Sequence, residues 1–316
     1  MKILVTAPWS GQQVQELQRA FPEIEFVVAK TSEAMLAAAA EAEVVLGRIS
    51  REDFLAAKKL RWIQSTGAGV EWLHEIPELA ESDVIVTNTR GAHAVTIAEH
   101  TFGMLISLAR GFVSLFKAQQ RRAWLRPPEQ PPVGLSGLTM GIIGLGQIGR
   151  AIAERAHAFG MSVIAVDAHE VPRPAYISDF WLLEGLPELL RRSDVVVVAT
   201  PYTPETEGML GLEQLSLMKP SAYLLVVSRG GIVDETALVK LLQEERLAGA
   251  GLDVQAVEPV PENSPLWEAP NLILTPHCSG MSKQTTAMVV GICRDNLTRY
   301  LNQERLNNLV DKQRGY

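Results

Sequence analysis

Between residues 140 and 167 the chain reads MGIIGLGQIGRAIAERAHAFGMSVIAVD, and the spacing of Gly144, Gly146 and Gly149 within it suits the binding of a phosphate. Gly144 allows a sharp turn, Gly146 removes a side chain where a pyrophosphate must approach backbone N–H groups, and Gly149 lets a helix pack closely on a strand. A helix over residues 147–159 would turn its unpaired N–H groups and the positive end of its dipole toward that phosphate. Asp167 closes a second apolar run about 20 residues beyond the glycines, where a carboxylate accepts hydrogen bonds from an adenosine ribose. A 2′-phosphate there would meet a like charge, so NAD is expected rather than NADP. Glycine-rich turns are common by chance. This one lies between a strand and a helix and has its acidic residue in place.

Three more polar residues, Arg229, Glu258 and His277, stand just after apolar runs farther along. Singly they read as a solvated arginine, a loop carboxylate beside Pro259 and a histidine capping a strand. Their positions unite them. Each follows a strand of the sheet that carries the glycine turn, on the edge where the nicotinamide of a bound dinucleotide would emerge.

The elements that must hold these residues follow from length and pattern. A chain of 316 residues exceeds one ordinary compact core, so two domains are expected. In the first, KILVTA, IEFVVA, EVVLGR, RWIQST and VIVTNT alternate with helical stretches such as 12–21 and 32–42, which predicts a parallel sheet covered on both faces. This part has no phosphate-loop fingerprint. Its loop Ser65-Thr66-Gly67-Ala68-Gly69-Val70 can aim N–H groups at an anion, or be a plain glycine-rich turn. A long helix over 96–120 is expected to bridge the domains, with Glu99 and His100 near its start reading as a helix-start charge and a packed side chain. The proline-rich stretch 126–134 is a loop leading to the cradle. Beyond Asp167, SDVVVVATP, SAYLLVVSRGG, GAGLDV and NLILTPH complete a six-stranded doubly wound sheet. Thr200-Pro201, Ser228-Arg229-Gly230, Asp253 and His277-Cys278-Ser279 mark the strand ends where ligands bind in such sheets. The last helix, 283–301, is expected to return to the first domain.

Composition narrows the function. Apolar residues make up 47% of the chain, the formal net charge is −7, and there is no basic block, so nucleic acid and anionic membranes are poor partners. Cys278 and Cys293 are the only cysteines, which gives no disulfide scaffold and no paired-cysteine metal spacing. That usage fits a reducing cytoplasm, and no metal is expected. Pro8 interrupts the opening apolar run, so no signal peptide is expected, and no run approaches the ~20 apolar residues that span a bilayer.

The cradle with FGM and its aspartate, then SRGGIVDETAL, GLDVQAVEPVP and LILTPHCSG, resemble in order and spacing the signature segments of the D-isomer-specific 2-hydroxyacid dehydrogenase family. STGAGVEWL, TIAEHTFGMLISLAR and the final NLTRYLNQERLNNLVDKQRGY extend the likeness. The resemblance implies an α/β fold of two domains. One is a doubly wound (Rossmann) NAD-binding domain over 99–282. The other is a discontinuous flavodoxin-like substrate domain from 1–98 and 283–316, with a cleft that closes over substrate. A homodimer through the long helix and its neighbours is implied too. NAD would be held by Gly144, Gly146, Gln147, Ile148, Gly149, Asp167, Thr200, Pro201, Val227, Asp253 and Ser279.

The same resemblance assigns roles at the reacting centre. Arg229 would grip the carboxylate of a small 2-oxo acid and polarise its 2-oxo group. His277 would donate a proton to that oxygen as hydride arrives, with Glu258 hydrogen-bonded to the far side of the imidazole. Ala68 and Gly69 would offer N–H groups to the carboxylate, and Arg48 and Trp62 would line the far wall. Glu258 stands where relatives that oxidise formate carry glutamine, which argues against formate, and Val226 replaces a common asparagine. The implied activity is NAD-dependent interconversion of a small 2-oxo acid and the D-2-hydroxy acid, glyoxylate/hydroxypyruvate reductase-like. Transcriptional corepressors that resemble the family keep the same three polar residues, so an NAD(H)-sensing regulatory protein is the competing expectation.

Overall fold

Short aliphatic runs alternate with helices along the chain, and the computed structural model, which describes residues 1–6, 9–29, 31–126 and 131–312, folds them into two parallel sheets. The chain divides into two compact units, Met1–His93 with Ser282–Tyr316, and Ala94–Met281.

The first unit runs β1 (Lys2–Val5), α1 (Gly11–Ala20), β2 (Glu25–Val28), α2 (Ser32–Glu41), β3 (Val44–Leu46), α3 (Arg51–Ala56), β4 (Trp62–Gln64), α4 (Pro77–Glu81) and β5 (Ile85–Thr87). Its sheet order is β2-β1-β3-β4-β5, the flavodoxin-like doubly wound arrangement. Helix starts are set by side chains that satisfy free N–H groups. Ser10 and Gln13 form a reciprocal capping box at α1, and Thr31 and Ser50 cap α2 and α3.

The second unit opens with α5 (Ala94–Ala109) and α6 (Phe112–Gln120). The single helix expected over 96–120 is therefore two, bent by 69°. Gly111 causes the break. It sits in the left-handed region at φ 66°, ψ 27°, which glycine adopts without a Cβ penalty. No single helix among the described residues is long and apolar enough to cross a membrane. Of the proline-rich loop expected at 126–134, residues 127–130 lie outside the described residues.

The unit continues as β6 (Thr139–Ile143), α7 (Gln147–Ala158), β7 (Ser162–Asp167), β8 (Ile177–Leu182), α8 (Leu186–Arg192), β9 (Val195–Val198), α9 (Leu212–Leu215), β10 (Tyr223–Val226), α10 (Glu235–Gln243), β11 (Gly249–Leu252) and β12 (Leu272–Leu274). All seven strands are parallel, in the order β12-β11-β10-β9-β6-β7-β8. The sequence pattern predicts six, and the extra strand is β8. As an edge strand it buries only Ile177 fully, so ISDFWL shows no continuous apolar run. The central strand β9 does show one. Val196 and Val198 enter one core cluster while Val195 and Val197 enter another, so this strand is buried on both faces. Full burial of each valine is worth about 1.5–3 kcal/mol.

After the second unit, α11 (Lys283–Leu301) packs into the first. Asn296, fully buried, donates to Gln64 Oε1 (2.8 Å) and to the Asn307 carbonyl (3.0 Å). Gln64 Oε1 also accepts from Thr87 Oγ1 (2.8 Å), which in turn accepts from the Trp62 indole N–H (2.8 Å). Each member of this buried network is satisfied, which is the condition under which such a network holds elements together. It also corrects one expectation. Trp62 lines no wall, because its ring is fully buried and stacked on Tyr300 with centroids 5.1 Å apart.

Candidate active site

The cradle is built by packing constraints that only glycine meets. At Gly144, φ is +94°, and a Cβ would lie 2.8 Å from Thr200 N. At Gly149 it would lie 2.0 Å from the Gly144 carbonyl oxygen and 3.2 Å from Ile142 Cγ2. Gly146 differs from both. It precedes the first residue of α7 with no side-chain cap, and nothing lies within 4 Å of the position its Cβ would take. Open space above an uncapped helix N-terminus fits the pyrophosphate of a dinucleotide. Asp167 Oδ2 accepts from Leu145 N–H (2.7 Å) and Oδ1 from His169 N–H (3.2 Å), so the ribose candidate also fastens the glycine loop.

The other cofactor candidates sit around this turn or at neighbouring strand ends. Gln147 is exposed in the first turn of α7, and Ile148 is half-buried against the core. The Pro201 carbonyl accepts from Thr206 Oγ1 (2.8 Å), which fixes the turn after Thr200. Val227 is buried and its N–H donates to Val198 (3.3 Å). Val226, at the end of β10, packs in the apolar core.

At the far strand ends, the structure brings Glu258 and His277 together. Glu258 Oε2 is 2.8 Å from His277 Nδ1, and Oε1 accepts from Gln255 N–H (2.9 Å). Arg229 follows β10 with Nη1 donating to the Ser228 carbonyl (2.7 Å). The next residue, Gly230, packs directly on the segment before Glu258, where a Cβ would fall 1.9 Å from the Gln255 carbonyl oxygen. One residue, Gln255, thus meets the loop after Arg229 through its carbonyl and holds the carboxylate paired with His277 through its N–H.

His277 occupies φ 51°, a left-handed conformation that costs a non-glycine residue about 1–2 kcal/mol. Surrounding hydrogen bonds hold it there. Its N–H donates to the Asp253 carbonyl (2.8 Å) and to the Thr275 carbonyl (3.0 Å). Asp253, 0% exposed, accepts from Thr275 Oγ1 (2.6 Å) and Cys278 N–H (3.0 Å) at Oδ1, and from Ser279 N–H (2.9 Å) at Oδ2. The carboxylate at the end of β11 therefore shapes the turn that presents the histidine.

Several supporting residues are not apparent in the sequence pattern. The buried Gln255 amide donates to the Leu252 carbonyl (3.1 Å) and weakly to that of Thr275 (3.4 Å), tying the ends of β11 and β12. Glu235, in the first turn of α10, accepts from Ala256 N–H (2.6 Å). His100, expected only to pack, points Nε2 at Thr275 Oγ1 (3.0 Å).

In the first unit, the carbonyls of loop 65–70 are held from behind. Thr89 Oγ1 donates to Thr66, Thr89 N–H to Gly67 and Asn88 Nδ2 to Ala68, at 2.8, 3.2 and 2.8 Å. Among the described residues the N–H groups of Ala68 and Gly69 have no acceptor, so they are available to an anion. Arg48 is exposed beside this loop, with Nη2 3.8 Å from the Cβ position of Gly67.

Comparison with known proteins gives this geometry its family. Residues 102–279, more than half of the chain, match the family described as D-isomer specific 2-hydroxyacid dehydrogenase, NAD binding domain. The chain belongs to the D-isomer-specific 2-hydroxyacid dehydrogenase family. As a member it is an oxidoreductase with a Rossmann NAD-binding domain. It is 35% identical over 269 residues to a glyoxylate reductase of Korarchaeum cryptofilum, covering 84% of this chain and 80% of that one. It is 32% identical over 315 residues to a D-3-phosphoglycerate dehydrogenase of Methanocaldococcus jannaschii, covering 98% of this chain but 59% of that longer one. Among solved structures, a D-isomer-specific 2-hydroxyacid dehydrogenase from Xanthobacter autotrophicus Py2, in complex with NADPH and MES, shares 30% identity with a TM-score of 0.84, covering 99% of both chains.

Proposed function

We propose that this dehydrogenase interconverts a small 2-oxo acid and the D-2-hydroxy acid with NAD(H), in the manner of a glyoxylate/hydroxypyruvate reductase. The observation that carries the reading is the 2.8 Å pairing of His277 Nδ1 with Glu258, in the unit that holds the dinucleotide cradle. The cofactor when bound supplies or accepts the hydride. The chain's own residues do the rest. With Nδ1 committed to Glu258, His277 Nε2 gives a proton to the 2-oxo oxygen in reduction and takes it back in oxidation. The Arg229 guanidinium grips the substrate carboxylate and polarises the carbonyl. In the first unit, we assign the N–H groups of Ala68 and Gly69 to binding a carboxylate.

A glyoxylate reductase among the relatives supports a small substrate. Asp167 supports NAD over NADP, although the Xanthobacter autotrophicus relative was crystallised with NADPH. We also infer a cytoplasmic homodimer. The exposed Phe112, Val113 and Phe116 on α6, with Trp124 90% exposed just beyond it, support an interface there.

A panel of 2-oxo acids assayed with NADH and with NADPH, followed by chiral analysis of the product, tests the reading. Consumption of NADH with glyoxylate or hydroxypyruvate, and a D-configured product wherever the substrate gives a chiral one, is the expected result. NADH binding with no turnover on any member of the panel would point instead to a sensor of the cofactor.

A further inference from the structure

Three metal-ligating side chains that the proposed reaction does not need as a set converge in the second unit. His100 comes from α5, Asp253 from the end of β11 and Cys278 from the turn after β12, and their ligand atoms all lie within 4.8 Å of one another. Spacing along the chain hides this cluster, because each member comes from a different element.

The geometry is close to that of a tetrahedral ion. His100 Nε2 is 3.7 Å from Asp253 Oδ1. The edge of a zinc tetrahedron with ~2.1 Å bonds is about 3.4 Å, so these two ligands need almost no rearrangement. Cys278 Sγ, within 4.8 Å of both, would have to come closer by about 1 Å at most, and its residue is half-buried in a turn rather than locked in a strand.

Electrostatics favours a cation there. Asp253 is fully buried, and among the described residues its carboxylate has no lysine or arginine partner. It is compensated by neutral donors, the Thr275 hydroxyl, the Cys278 thiol and two backbone N–H groups, and by the neighbouring imidazole. A buried carboxylate held by neutral donors gains from a nearby positive charge. The Thr275 hydroxyl, between His100 (3.0 Å) and Asp253 (2.6 Å), is the neutral group a cation would displace. Burial and the Asp253 carboxylate push the Cys278 thiol up, so a metal would bind with loss of the thiol proton to solvent.

We propose that His100, Asp253 and Cys278 form a binding site for a borderline-soft divalent cation such as Zn²⁺, with a fourth position left for water. An imidazole, a carboxylate and a thiolate suit zinc and cadmium, whereas magnesium and calcium require all-oxygen ligands. The site shares its turn with His277, whose N–H rests on the Asp253 carbonyl. Drawing Cys278 inward displaces the histidine, so the bound cation inhibits. That regulatory consequence rests on the function proposed above, whereas the binding itself does not.

The test uses the full chain without an affinity tag, titrated with Cd²⁺ while the thiolate-to-cadmium absorbance is followed, and then with competing Zn²⁺. One saturable equivalent per chain is expected. The band should vanish in Cys278→Ser, binding should weaken at least tenfold in His100→Gln, and Cys293→Ser should bind as the wild type does. If Cys278→Ser does not fold, protection of the wild-type Cys278 thiol from alkylation by stoichiometric Zn²⁺ replaces it. No stoichiometric band, a band that survives in Cys278→Ser, or unprotected alkylation overturns the site. In the same samples, Zn²⁺ should slow NADH consumption with the affinity the cadmium competition gives. A chain that binds Cd²⁺ in this way yet reduces no 2-oxo acid keeps the site and removes the functional reading.

Discussion

His277 Nδ1 lies 2.8 Å from Glu258 Oε2 while the other oxygen of that carboxylate is held by Gln255 N–H, so the histidine's partner is itself held in place. With Nδ1–H donated to Glu258, the neutral ring keeps an unprotonated Nε2, and the protonated ring has a proton to give from that nitrogen. The side chains are 48% and 34% exposed, so the pair adds no more than about 1 kcal/mol to stability. Glu258→Ala should therefore lower kcat by about 10²-fold with little change in Tm and no change in NADH affinity. Thermal melts, cofactor titration and steady-state kinetics on one preparation check this. Equal losses in all three would assign Glu258 a structural role.

Gly230 separates Arg229 from a peptide that leaves no room for a methyl group, the nearest atom being the Gln255 carbonyl oxygen at 1.9 Å. Gly230→Ala must push the 255–258 loop outward, at a cost of about 1–3 kcal/mol or more. Both Tm and kcat should fall, and Gly146→Ala, where the space is open, should keep its Tm but lose NADH affinity. A stable, active Gly230→Ala variant would show that the loop does not position Glu258.

Asp167 accepts the Leu145 N–H and is the residue we propose for the adenosine ribose. Asp167→Ser removes the negative charge that would repel a 2′-phosphate. The ratio of kcat/KM for NADPH to that for NADH should rise at least tenfold, with NADH itself used less well. An unchanged ratio would assign discrimination to other residues.

Burial pushes the Glu235 carboxyl up, against the opposing effect of its hydrogen bond from Ala256, with Glu258 and Asp234 adding to the rise. The folded state keeps this proton to higher pH than the unfolded chain, so the favourable contribution is present below pH 4.5 and is lost as pH rises through the folded value. Glu235→Gln can still accept from Ala256 but has no charge to bury. Its stability relative to the wild type should rise from acid to neutral pH in urea melts. A pH-independent difference would contradict a raised carboxyl at this position.

Legibility in the sequence follows how local each feature is. Gly144, Gly146 and Gly149 act on their own turn and strand, so their order along the chain carries their purpose, and the structure gives each a distinct constraint. The valines of β9 are readable because burial on both faces demands an unbroken apolar run. Strand β8 is not, since an edge strand can keep polar residues, and Trp62 gives no sign that its ring turns into a network with Thr87 and Gln64. Gln255 and His100 act through contacts with distant segments, which no spacing rule records.

Hydride transfer by an Arg229→Ala variant tests the central claim most directly. In a single turnover with saturating NADH and the best 2-oxo acid of the panel, loss of a group that stabilises developing charge on the carbonyl oxygen should slow the step by about 10²- to 10³-fold. A rate near that of the wild type would contradict the assignment of Arg229 to the reacting carbonyl, and with it the mechanism built on this site.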